Sequence, residues 1–159
     1  MSVVIWLSEE TWQSCVDAGR SFAPPGSDVV LLHVTGDDVA AAAHAAYRAL
    51  MGRGHLDRDP GARLEEIAAA AAAQLLDAAA TRLGRVATRV ERHGRVEREV
   101  VQAADGAELL VLARDGDRTR LGPRSLGRAA RFVVDHAPCP VLLVWPDPAP
   151  DIASIPPLP

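Results

Sequence analysis

Short apolar runs alternate along this chain with alanine-rich stretches of helical periodicity, and that alternation restricts the fold more than any other feature. Strands alternating with helices make βαβ units, whose parallel strands are covered by helices on both faces. Five runs read as strands: residues 3–7, 28–34, 85–91, 108–113 and 141–145. The second (DVVLLHV) and fourth (ELLVLA) are almost wholly apolar, as strands buried on both faces must be. The third is polar enough to sit near a sheet edge.

The stretches between them read as helices. Ser8 is placed to cap the first, with Glu9 and Glu10 in its first turn, where the helix dipole favours negative charge. Trp12, Cys15 and Val16 share one face, and Gly19, with Pro24 and Pro25 beyond, marks the end. Asp37 or Asp38 caps a second helix with an inner stripe of Val39, Ala43, Ala46, Tyr47 and Leu50. A polar loop at 52–61 precedes a long helix over 62–83, whose inner face reads as Leu64, Ile67, Ala71 and Leu75. His93 and Gly94 turn the chain into a helix carrying Val96, Val100, Val101 and Ala104, which stops at Gly106. Ser125 caps a last helix over 126–136.

Right-handed crossovers leave few arrangements for five parallel strands. The expected fold is α/β: a doubly wound five-stranded parallel sheet with helices on both faces, a flavodoxin-like three-layer sandwich with strand one central. In such sheets ligands bind beyond the carboxyl ends of the strands, where the winding direction reverses. That places the candidate site at the turns after strands one and four: Ser8 with its neighbours, and the loop over 113–128. The domain spans residues 1–146. Residues 147–159 form a proline-rich tail, expected to be extended and weakly ordered, and 146–159 hold six of the twelve prolines.

Composition excludes several chemistries. All 17 basic side chains are arginine, so Schiff-base chemistry and every mechanism built on a phosphate-binding lysine are absent. The net charge of −4 and a pI near 5.7 argue against nucleic acid as a partner. Cys15 and Cys139 form no CxxC pair, which fits a reducing cytoplasm. The opening MSVVIWLSEE reads as a strand rather than a signal peptide, and 67–76 is too short to cross a bilayer; a soluble, cytoplasmic protein is expected.

The segment 113–131, ARDGDRTRLGPRSLGRAAR, concentrates charge. Arg114, Arg118, Arg120, Arg124, Arg128 and Arg131 against Asp115 and Asp117 give +4 locally, with Gly116, Gly122 and Gly127 allowing tight turns. A glycine-rich loop leading into a helix N-terminus is suited to a phosphate, held by backbone donors and guanidinium forks. The competing reading is a solvated loop whose charges serve solubility. Asp115 and Asp117 could hold a magnesium bound to such phosphates. The pair His136 and Cys139 lacks partners for a metal site, and His33 reads as a satisfied interior histidine. No GxSxG turn is present, and no histidine is placed to activate Ser8 or Ser125.

Over residues 2–146 the layout resembles the universal stress protein family. The resemblance is carried by GRAARFVVDHAPCPVLLVW, by LLHV, and by ELLVLA followed by a glycine loop. It implies an adenine-nucleotide-hydrolase-like three-layer domain, a regulatory role in stress responses, and a homodimer. Some members bind ATP, others AMP-like ligands or no nucleotide. Nucleotide-binding members carry Gly, two residues, Gly, nine residues, then Gly and a hydroxyl residue. Here Ala113 takes the first glycine position and Gly116 the second, ten residues separate Gly116 from Gly127, and Arg128 stands at the hydroxyl position. The Asp–Gly–Ser turn usual after strand one is replaced by Leu7–Ser8–Glu9. The resemblance thus marks Ser8, Val34, Ala113, Gly116, Ser125, Gly127 and Arg128 for an ATP or AMP-like ligand, with magnesium if ATP. The alternative is a homodimeric protein-interaction module that binds no nucleotide. In both, the apolar fifth strand, Val141 to Trp145, is the expected dimer edge. Neither reading requires an enzyme.

Overall fold

The computed structural model describes residues 1–51 and 58–158; most of the loop expected at 52–61 lies outside them. The described elements are β1 (Ser2–Leu7), α1 (Trp12–Phe22), β2 (Asp28–Gly36), α2 (Asp38–Met51), α3 (Pro60–Leu83), β3 (Thr88–Gly94), α4 (Val96–Ala103), β4 (Leu109–Ala113), α5 (Arg128–His136) and β5 (Val141–Val144). The strands form one parallel sheet in the order β3-β2-β1-β4-β5, with β1 central and the polar β3 at an edge.

Strand alternation divides the core into two layers. Val3, Ile5 and Leu7 of β1 face α1 and α3, together with Leu31, Val111, Leu76 and Leu83. Val4 and Trp6 point to the opposite face, where Leu32, Leu110 and Leu112 meet Val100 of α4 and Val133 of α5. The near-continuous apolar runs of β1, β2 and β4 follow from this double cover.

Several local expectations shift. Ser8 does not cap α1: its hydroxyl pairs with Thr11 Oγ1 at 2.6 Å, and Thr11 is the N-cap residue. The two glutamates therefore sit in the connecting turn. Gly19 does not end the helix, which runs on to Phe22. Its value is space, because a Cβ there would lie 2.3 Å from Ile5 Cδ1. α2 buries none of its residues fully and packs on α3, leaving Val39 70% and Leu50 83% exposed.

α3 starts at Pro60, with Asp59 accepting from Gly61 N at 2.8 Å. Its buried stripe is Ala72, Leu76, Ala79 and Leu83, one position out of phase with the expected face. After Gly84, Arg85 Nη2 donates to Ser27 O at 2.5 Å and Val86 is exposed, so pairing with β2 begins only at Thr88. β3 therefore extends through His93 and Gly94, which oppose Thr35 and Gly36. α5 begins at Arg128 with Gly127 as N-cap, not at Ser125.

The segment after β5 carries a short 3-10 turn at Ile152–Ser154, and Ser154 Oγ accepts from Leu121 N at 3.0 Å. Among the described residues no helix is long and apolar enough to cross a membrane.

Candidate functional site

The chain reverses its winding direction between β1 and β4, and a cavity of about 430 Å³ lies at that point. Trp6, Leu7, Val34, Val96 and Ala113 supply its apolar lining. Ser8, Thr11, His33 and Thr35 supply polar groups, and Glu9, Glu10 and Asp115 supply three carboxyl groups. Of the residues marked in the sequence, Ser8, Val34 and Ala113 thus meet at one cavity.

His33 is both satisfied and in the lining. Its Nδ1 lies 2.9 Å from Leu7 O, so a neutral ring carries its proton there and keeps Nε2 as an acceptor. Thr35 was not singled out from the sequence. Its hydroxyl is buried with no hydrogen-bond partner among the described residues, a costly state in a folded protein unless something pairs with it. Its signal was the length of β2, which runs two residues past the apolar DVVLLHV run to Gly36.

The remaining marked residues build the adjoining loop. Gly116 N donates to Ser125 O at 2.9 Å and Asp117 N to Arg124 O at 2.8 Å, closing the loop as a hairpin-like turn. Ser125 is fully buried; its hydroxyl donates to Gly122 O at 2.6 Å and accepts from Arg114 Nη1. A Cβ on Gly116 would lie 2.3 Å from Arg124 O and 2.9 Å from Gly127 N, so this glycine is required by close backbone approach. Gly127 N, the first donor at the mouth of α5, is taken by Asp115 Oδ1 at 2.6 Å. Asp117 Oδ1 accepts from both Thr119 N and Thr119 Oγ1, which holds its carboxyl below the usual carboxylate range.

None of the six arginines of this segment lines the cavity. Arg114 lies over the Trp145 ring at 4.6 Å. Arg118 pairs with Asp147 at 3.1 Å, and Arg120 and Arg124 flank Pro156 of the tail. Arg128 and Arg131 line a separate cleft between α4 and α5, with Arg95, Arg98, Phe132 and His136. Arg128 therefore lies outside the lining of the cavity.

Metal binding finds no cluster: among the described residues no three His, Cys, Asp or Glu side chains are grouped to hold an ion. His136 stacks on Phe132 at 4.0 Å and its Nδ1 bonds Phe132 O at 2.8 Å. A second hollow, of about 910 Å³, opens between α2 and α3 and adjoins the first through Glu9, Thr35 and Gly36. Beside it His44 bridges Asp59 (2.6 Å) and Glu65 (3.0 Å). Those two hydrogen bonds raise the imidazole pKa above its ordinary 6.5, and the imidazole lowers that of Asp59.

Known structures share this architecture. The hypothetical protein MJ0577 superposes with a TM-score of 0.67 at 16% identity, over 91% of this chain and 94% of that one. A universal stress protein in complex with cAMP gives 0.60 at 16%, covering 92% and 98%. Universal stress protein UspA from Lactobacillus plantarum gives 0.55 at 17%, covering 91% and 97%. No curated protein matches the sequence. At these identities the superpositions establish the fold alone. The sequence profile of the universal stress protein family matches residues 3–144, from the first strand to the last, and with the 3-2-1-4-5 sheet this shows that the chain belongs to the universal stress protein family.

Proposed function

We propose that this chain is a regulatory, non-enzymatic member of its family that holds an adenine nucleotide-type ligand by its nucleoside half, in the cavity between β1, β2 and β4. The observation that carries this reading is the apolar-lined cavity at the winding reversal, with the buried, unpartnered Thr35 hydroxyl at its border with the second hollow. A planar base and a ribose suit such a cavity, because apolar walls take the ring while a few fixed polar groups orient it. His33 Nε2 and the Thr35 hydroxyl are the groups suited to that task. The relative solved with cAMP supports the same class of ligand. The lining hydroxyls of Ser8 and Thr11 bond each other rather than a base, which favours binding over catalysis.

Isothermal titration with adenosine and cAMP tests the reading. Binding is expected, and Thr35→Val should weaken it about two- to tenfold, as removal of one hydrogen bond does. Absence of heat and of thermal shift with both compounds at millimolar concentration would overturn it.

A second reading, an interaction module that binds no nucleotide, is favoured by the cleft of about 310 Å³ between α4 and α5, where Arg95, Arg98, Arg128 and Arg131 face Glu97 and Asp135. An acidic protein partner suits that excess of positive charge. Its binding would fall with salt and with Arg128→Glu, whereas adenosine binding would not respond to that substitution.

A further inference from the structure

We infer that Asp115 is a specificity determinant that sets a carboxylate between the cavity and the N-terminus of α5 and selects an uncharged nucleoside over its phosphorylated forms. The inference rests on the nucleoside reading above and sharpens it. Asp115 lines the cavity and places Oδ1 2.6 Å from Gly127 N, at the mouth of α5. The approach is close enough that a Cβ on Gly127 would lie 2.7 Å from the same oxygen. A helix N-terminus attracts anions, and here the chain supplies a carboxylate of its own to the first of its donors, Gly127 N.

The rest of the surroundings agrees. The backbone donors of Gly116, Asp117, Thr119, Leu121, Ser125 and Leu126 are all spent on acceptors within the loop or the tail. Among the described residues no arginine lines the cavity, and Glu9 and Glu10 add two more carboxyl groups to its rim. A phosphate entering there would displace Asp115 from Gly127, face three like charges, and meet no guanidinium among the described lining residues. Each added negative charge on the ligand therefore weakens binding, and it does so through Asp115 more than through the likewise exposed Glu9 and Glu10, because Asp115 is the carboxylate fixed on a backbone donor, Gly127 N.

The experiment is a calorimetric series with adenosine, cAMP, AMP and ATP on the full chain and on two variants. Asp115→Asn keeps an oxygen for Gly127 N and removes the charge; Asp115→Glu keeps the charge. The wild type is expected to bind adenosine at least about tenfold more tightly than AMP, with cAMP between them and ATP weakest. Asp115→Asn should narrow the adenosine–AMP gap to about threefold or less, and Asp115→Glu should retain it. AMP or ATP binding the wild type as tightly as adenosine would overturn the role of Asp115 and leave the nucleoside cavity standing. An unchanged gap in a folded Asp115→Asn variant would do the same. Failure of all four ligands on every form would overturn both.

Discussion

At the scale of single residues, the loop after β4 shows how a sequence motif and its geometry diverge. Gly116 and Gly127 sit near a spacing that suggests a phosphate cradle, but Gly116 is needed to let the loop close on itself, whereas a side chain on Gly127 would meet only the Asp115 carboxyl. Because the atoms a Gly116 side chain would strike are backbone, Gly116→Ala should destabilise the fold by about 2 kcal/mol or more, read as a lowered midpoint in urea. A loss below about 0.5 kcal/mol would show that the loop can relax. Arg128 was legible as charge and not as direction: the first residue of a helix can point to either side, and only packing of α5 on α4 decides it. The two thiols differ for a plainer reason. Burial pushes Cys15 up to about 12, against a weaker opposing hydrogen bond from Thr11, while Cys139 is partly exposed. A thiol reagent near pH 8 should modify Cys139 in the native protein and reach Cys15 only on unfolding. Equal rates would contradict the packing of α1.

At the scale of elements, strands were the most legible because a doubly covered strand must be apolar along its length, whatever its neighbours. Helix faces were less so. In α3 alanine and leucine fill 14 of 24 positions, so two stripes one residue apart are equally apolar, and the sheet selects the one containing Leu76 and Leu83. The α2–α3 pair carries a pH signature. His44 has its folded pKa raised by Asp59 and then Glu65, so its contribution is complete below about 6.5 and is lost as pH rises through the folded value. Asp59 has its folded pKa lowered, chiefly by His44 and then by the hydrogen bond from Gly61 N; its contribution is present above 3.8 and is lost as pH falls through the folded value. The stability difference between the wild type and His44→Gln should therefore be greatest near pH 4–6.5 and shrink toward pH 9. A difference independent of pH would remove the charged bridge from the account.

At the scale of the whole molecule, the right-handed crossover rule and the polarity of the third strand were enough to place β1 centrally and β3 at an edge. The opposite edge is β5, whose Val141–Val144 run is only half-buried. We propose that two copies join along it, since an apolar edge strand invites pairing. Light scattering at micromolar concentration should then give a dimer, and Leu143→Pro a monomer or aggregate; a wild-type monomer would contradict the proposal. What the sequence could not show is the sign of the cavity. Arginine dominates the loop by count, yet its six side chains lie against Trp145, the tail, the loop's own oxygens and the α4–α5 cleft, and leave carboxyl groups at the rim. The central claim is that this cavity holds a nucleoside. Amide chemical-shift mapping during an adenosine titration tests it most directly. The account predicts saturable shifts concentrated at Ser8, at residues 33–36 and at Ala113 and Asp115. No shifts at millimolar adenosine, or shifts confined to the α4–α5 cleft, would contradict it.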